Sequence, residues 1–168
     1  MTEAGLVRPA TPEDVETWRQ LRYDGILASP QAFLVTADEA AAFSVDIDLR
    51  QLAEGGRFLA FQGETAVGLI ALNRNRIPRA AHRAEIGPFY VVPAARGTGT
   101  ADALIAAVSD YASAAGIWQL ELYVNQDNAR AIAFYRRHGF VPAGTIPNAI
   151  LGADGLEHDQ IMIRSDAP

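Results

Sequence analysis

The chain has 168 residues, a length that suits one domain with one core over 1–168, and its apolar and charged fractions are those of a globular protein. It holds no run of ~18 apolar residues to cross a membrane and no basic-then-apolar leader at its start, so a cytoplasmic protein without a membrane partner is expected. The net charge of −6 argues against broad nucleic-acid binding, zero cysteines exclude disulfides and thiolate chemistry, and all 14 basic residues are Arg, which excludes Schiff-base and P-loop lysines.

Strand and helix patterns alternate along the chain. Leu6 to Ala10 reads as a short strand. Thr11-Pro12-Glu13-Asp14 starts a helix, with Thr as N-cap, Pro at the first position and acids in the first turn. Ser29-Pro30 ends it. Thr36 to Glu39 is a capping box for a second helix that stops near Gly55-Gly56. Arg57 to Gln62 and Thr65 to Asn73 form a hairpin around Gly63-Glu64, and Arg74 to Ala81 is a polar loop.

His82 to Val92 is a long strand, followed by a helix over Gly97 to Ala115 with Leu104, Ile105, Val108, Tyr111, Ala112 and Ala115 on one face. A strand follows over Ile117 to Val124, then a helix over Asp127 to His138 stopped by Gly139. Phe140 to Leu151 and Leu156 to Arg164 close as paired strands around Ala153-Asp154-Gly155. This order predicts an α+β (mixed α/β) fold: a twisted, mostly antiparallel sheet of about seven strands flanked by four helices.

The segment Val91-Val92-Pro93-Ala94-Ala95-Arg96-Gly97-Thr98-Gly99-Thr100-Ala101 leaves a strand and enters a helix. Gly97 and Gly99 allow a tight turn with exposed N–H groups, and the helix behind them offers unpaired N–H groups and a positive dipole end. That is an anion site suited to a diphosphate, with Arg96 as a mobile cation at its rim. A plain strand-to-helix turn without a ligand is the alternative. A dinucleotide fingerprint fits less well, because its third glycine would fall on Asp102.

Arg96, Gly99 and Ala101 have the spacing Arg-x-x-Gly-x-Ala, and Asn128, Ala131 and Tyr135, followed by Gly139-Phe140, lie some thirty residues further on. In these two segments the chain resembles the GNAT superfamily of acetyl-CoA-dependent N-acetyltransferases, of bacterial type. The resemblance implies that acetyl-CoA is bound by Val91, Val92, Arg96, Gly97, Thr98, Gly99, Thr100 and Ala101, with Asn128 as a further polar contact. It implies Tyr135 as general acid towards the departing thiolate, and a backbone N–H near Val91 or Val92 facing the carbonyl oxygen. Family members often carry a cation at position 98. Thr98 leaves more of the binding to the backbone and Arg96. From the residues alone, Tyr135 is also the core face of an amphipathic helix and Asn128 a helix cap.

An amine acceptor must lose a proton before it attacks a thioester. Glu85, in the strand segment Ala84-Glu85-Ile86, is the candidate base, as the resemblance implies; a solvated charge is its alternative. The expected acceptor is a primary amine of a small molecule or a peptide. Asp38, Glu39, Asp46 and Asp48 lean towards a cationic one. A homodimer is expected from the family. His82, His138 and His158 lack metal-ligand spacing, so no metal is expected. Asp159 reads as a cap or pairing residue in the sheet, and Arg74, Arg76, Arg79 and Arg83 as a solvated loop or a site for an acidic partner. A catalytically idle acyl-CoA sensor of the same fold is the alternative function. A nucleotide-binding regulator would instead prefer NAD or ATP over CoA.

Overall fold

The computed structural model describes residues 5–167, so the first and last residues of the 1–168 domain expectation lie outside it. The strands are β1 (Leu6–Pro9), β2 (Arg57–Gln62), β3 (Thr65–Arg74), β4 (Arg83–Val91), β5 (Gln119–Asn125), β6 (Val141–Gly152) and β7 (Gly155–Ser165). The α-helices are α1 (Val15–Ala28), α2 (Ala37–Ala42), α3 (Val45–Glu54), α4 (Thr100–Ala114) and α5 (Ala129–Arg137). These are the expected seven strands, and they are mostly antiparallel. The helix following the Thr36 capping box is two helices, however, giving five among the described residues. Phe43 is extended between them, and the Ser44 hydroxyl restarts the second by accepting from the Asp46 N–H. A second N-cap inside one apolar-periodic stretch splits it.

The chain forms two compact units. The first comprises residues 1–73 and 87–115 and the second 74–86 and 116–168, so β4 contributes to both. In the first unit the strand order is β1-β2-β3-β4, and β1–β2 and β2–β3 are antiparallel. Its core joins Trp18 and Leu21 of α1, Leu52 of α3, Leu59, Leu69, Ala71 and Tyr90. Phe33 packs against this core, tilted across Tyr90 with ring centroids 6.3 Å apart. Leu104, Ile105, Val108 and Ala112 of the stripe expected on α4 are buried, whereas Tyr111 lies at its exposed edge and Ala115 follows the helix as its half-buried C-cap.

One ion cluster ties the helices of the first unit together. Asp48, 2% exposed, accepts from Arg19 Nη1 at 2.5 Å and from Arg22 Nη1 and Nη2 at 2.7 and 3.0 Å. Arg19 Nη2 also donates to the Phe43 carbonyl at 3.0 Å, at the helix break. Burial pushes the Asp48 carboxyl up, but the two guanidinium groups outweigh it and hold it below its ordinary value. Of the four acids that lean towards a cationic acceptor, Asp48 is thus neutralised within the fold. Glu39 is engaged in its capping box with Thr36.

In the second unit the strand order is β4-β5-β7-β6. β4 and β5 are parallel over Arg83–Glu85 and Gln119–Glu121, while β5–β7 and β6–β7 are antiparallel. Parallel neighbours require a crossover, and the chain between them contains α4. Alternation in β5 buries Leu120, Leu122 and Val124 on one face and turns Glu121, Tyr123 and Asn125 to the other. Within this unit, Arg74 Nε donates to the Ala81 carbonyl at 2.9 Å.

Candidate active site

The glycine turn takes the conformation its residues suggested. Val92 leads into a short 3-10 turn over Pro93–Ala95, after which Gly97 and Gly99 are left-handed, at φ 78° and 88°. Gly99 is the N-cap of α4 and supplies no side chain to cap it. Among the described residues, the N–H groups of Gly97, Thr98, Gly99, Thr100 and Ala101 have no protein acceptor, and a Cβ added at Gly97 or Gly99 would meet nothing within 4 Å. Five unpaired donors at the positive end of a fifteen-residue helix, open on the glycine side, fit a diphosphate.

Side chains hold this turn from behind. The Thr98 hydroxyl donates to the Ala95 carbonyl at 2.7 Å and lies 2.9 Å from the hydroxyl of the fully buried Thr100. Arg96 differs from the mobile rim cation expected of it. Its Nε donates to the Val91 carbonyl at 3.0 Å, and its guanidinium lies 5.9 Å from the centre of the Tyr90 ring. Arg96 therefore locks the strand end to the turn. The Val92 N–H donates to the Val67 carbonyl at 2.9 Å, so this donor is already used within the first unit.

The second unit carries the remaining candidates. Glu85 is exposed on β4 and is the register partner of Glu121 on β5. Burial, together with the Glu121 charge, holds the Glu85 carboxyl above its ordinary value. Glu121 is itself paired with Arg83 through Nε and, at 2.9 Å, through Nη2; Gln119 Nε2 donates to it at 2.9 Å. Those hydrogen bonds, Arg83 foremost, keep Glu121 below its ordinary value despite burial. Glu121 was not singled out from the sequence, and Arg83, expected in a solvated arginine loop, is instead its ion-pair partner. Strand alternation places Glu121 beside Glu85's face, but only the register shows which residue it opposes.

Asn128 is the N-cap of α5, accepting from the Ala131 N–H at 3.1 Å. Tyr135 lies on α5, half-buried, with Phe134 and Phe140 edge-on at 5.5 and 5.7 Å between ring centres. Burial pushes its phenol well above its ordinary value, so Tyr135 stays protonated at neutral pH.

The histidines have structural neighbours. His82 stacks on Trp118 at 4.3 Å, His138 lies 4.6 Å from Phe134, and His158 Nδ1 accepts from the Asn148 N–H. Among the described residues no group of three His, Asp or Glu could hold a metal ion, and no helix is long and apolar enough to cross a membrane.

Known proteins match this arrangement. The family model described as acetyltransferase (GNAT) family matches residues 16–140. A mycothiol acetyltransferase of Streptomyces scabiei is 33% identical over 150 residues, covering 84% of this chain and 44% of that protein. An uncharacterized N-acetyltransferase of Methanocaldococcus jannaschii is 38% identical over 89 residues, covering 52% of this chain and 39% of that protein. The chain thus spans less than half the length of these curated relatives.

In solved structures the fold recurs in a GCN5-related N-acetyltransferase from Kribbella flavida, with TM-score 0.81 and 23% identity over 98% of this chain and 99% of that one. It recurs too in a putative acetyltransferase from Salmonella typhimurium solved with its cofactor acetyl-CoA, with TM-score 0.83 and 15% identity over 98% of this chain and 95% of that one. The glycine turn, the Asn128–Tyr135 segment and a family match over three quarters of the sequence together make this chain a member of the GNAT acetyltransferase family.

Proposed function

We propose that this protein transfers the acetyl group of acetyl-CoA to a primary amine of a small molecule or peptide. The observation that carries this reading is the row of five unpaired N–H groups from Gly97 to Ala101 at the uncapped start of α4. In this reading those donors hold the cofactor diphosphate, Thr98 and Thr100 brace the turn, and Arg96 fixes the strand end from which the turn departs. Asn128 adds a polar contact through whatever capacity its capping bond leaves. When bound, the cofactor supplies an activated acyl group.

Glu85 acts as general base. Its carboxyl, raised by burial and the Glu121 charge, lies closer to the ammonium it must deprotonate than an ordinary glutamate does. Tyr135 acts as general acid: a phenol held protonated by burial donates towards the departing sulfur. No side chain has to form a covalent intermediate.

The test is calorimetric titration with acetyl-CoA, followed by detection of released CoA thiol across a panel of amines. Binding together with amine-dependent thiol release supports the enzyme. Binding with no release from any amine makes the protein an acyl-CoA sensor, and preference for NAD or ATP overturns both.

A further inference from the structure

The Tyr90 ring, near the end of β4, is where α1, the stretch that follows α1 and the glycine turn meet within the first unit. It is 6% exposed. α1 approaches it at Gly25, where an added Cβ would stand 2.9 Å from Tyr90 Cγ and 2.9 Å from Phe33 Cζ. Phe33 crosses it at 6.3 Å between ring centres, and the Arg96 guanidinium of the glycine turn lies 5.9 Å from its centre. β3 backs the strand closely at this point, because a Cβ added at Gly68 would come within 3.2 Å of the Tyr90 carbonyl oxygen and 3.3 Å of Val91 Cγ2.

Phe33 in turn anchors a stretch that is otherwise turned to solvent. After α1 the chain makes a 3-10 turn over Pro30–Ala32, closed by the Ala32 N–H on the Ser29 carbonyl at 2.9 Å and the Phe33 N–H on the Pro30 carbonyl at 3.2 Å. Pro30, Gln31, Ala32 and Leu34 are exposed, and among residues 30–34 only Phe33 packs against the core. A stretch held by one side chain opens more readily than the packed helix before it.

Arg96 links this anchor to the turn. Its Nε is engaged by the Val91 carbonyl at 3.0 Å, whereas its Nη1 and Nη2 make no hydrogen bond among the described residues. An anion held by the N–H groups from Gly97 onwards sits next to Arg96 in the chain and can accept from those two nitrogens, which fixes the guanidinium beside the ring. A ring flanked by a fixed cation loses freedom, and so does the Phe33 ring packed across it.

We infer that Tyr90 is a positioning residue: through it, filling the glycine turn with the cofactor diphosphate closes residues 29–34 onto the first unit. This rests on the acetyl-CoA reading of the turn given above. No bond is made or broken. The coupling is reciprocal, so the factor by which the ligand suppresses opening of the stretch is also the factor by which an open stretch weakens the ligand.

Hydrogen exchange at the Ala32 and Phe33 amides of the whole protein, free and saturated with acetyl-CoA, tests the coupling in wild type, Tyr90→Phe and Tyr90→Leu. Acetyl-CoA is expected to slow both amides by at least about threefold in wild type and in Tyr90→Phe, which keeps the ring, and to leave them unchanged in Tyr90→Leu. Phe33→Ala, which removes the anchor, should lose at least about twofold of the acetyl-CoA affinity measured by calorimetry, although Phe33 lies outside the turn. Should Tyr90→Leu fail to fold in a thermal melt, Phe33→Ala decides. Unchanged exchange in wild type, protection retained in folded Tyr90→Leu, or full acetyl-CoA affinity in Phe33→Ala overturns the coupling. Failure of wild type to bind acetyl-CoA overturns the acetyltransferase reading instead, and the exchange is then read with inorganic pyrophosphate in the turn; binding of neither overturns both.

Discussion

Glu85 on β4 and Glu121 on β5 face each other across a parallel strand pair, and only Glu121 is held by a cation, Arg83. The pair is therefore asymmetric. One carboxylate is held ionised, and its charge helps keep the other protonated to higher pH. In the proposed reaction, the first is a positioning residue and the second the base.

This asymmetry sets a pH profile. The acid limb of kcat/KM should lie above the ~4.3 of an ordinary glutamate. Glu121→Gln removes the opposing charge and frees Arg83, so it should move that limb to lower pH; an unmoved limb would remove Glu121 from this role. For stability the sign runs the other way from the usual carboxylate. Because folding raises the Glu85 pKa, its contribution is complete below the unfolded pKa and is lost as pH rises through the folded one. Near neutrality Glu85→Gln should therefore melt no lower than wild type, while turnover falls by about 100-fold.

Tyr135→Phe keeps the ring that packs against Phe134 and Phe140 and removes only the hydroxyl. Acetyl-CoA affinity should persist, stability should change by no more than about 1.5 kcal/mol, and kcat should fall by about 100-fold. Because burial raises the phenol above its ordinary ~10, Tyr135 should produce no alkaline decline in rate below that pH. An undiminished kcat at saturating acetyl-CoA would assign the proton to another donor.

The glycine turn separates strain from ligand contact. Gly99 is left-handed, and its absent Cβ would point into open space. Both Gly99→Ala and Gly99→Val should cost about 1–2 kcal/mol of stability through backbone strain. Val should also weaken acetyl-CoA binding by at least about tenfold, because its branches cover the unpaired N–H groups. Urea unfolding measures the first effect and calorimetry the second. Equal affinity in wild type and Gly99→Val would detach the turn from the cofactor.

Asp48 is the charge on which α1 and α3 converge. Asp48→Asn leaves Arg19 and Arg22 without their carboxylate and should cost about 3 kcal/mol in urea unfolding at neutral pH. Folding lowers the Asp48 pKa, so its stabilisation is present above the unfolded value near ~3.9 and is lost as pH falls through the folded one. Asp14, held at about 2 chiefly by its hydrogen bond from Arg8, adds to the same acid loss. The variant should therefore lose less stability than wild type between pH 5 and ~2.

Where sequence alone was sufficient, the signals were local. The Thr36 capping box, the Pro93 strand end, the left-handed Gly97 and Gly99 and the Asn128 cap each act within a few residues, and alternation in β5 sorts Leu120 from Glu121 without any knowledge of neighbouring strands. The fold class, the conformation of the glycine turn and the two family segments were legible for that reason. Even the unforeseen break at Phe43–Ser44 had a local signal in the Ser44 cap. Charge partners were not legible, because they come from register and helix docking. Asp48 meets arginines 26 and 29 residues away, Glu121 meets one 38 residues away, and Arg96 turns back onto a carbonyl that only the folded turn brings within reach. The sequence by itself determined where the chain turns on glycines into a helix; only the tertiary structure decided which charges the fold pairs, because a charge is cancelled by what lies beside it in space.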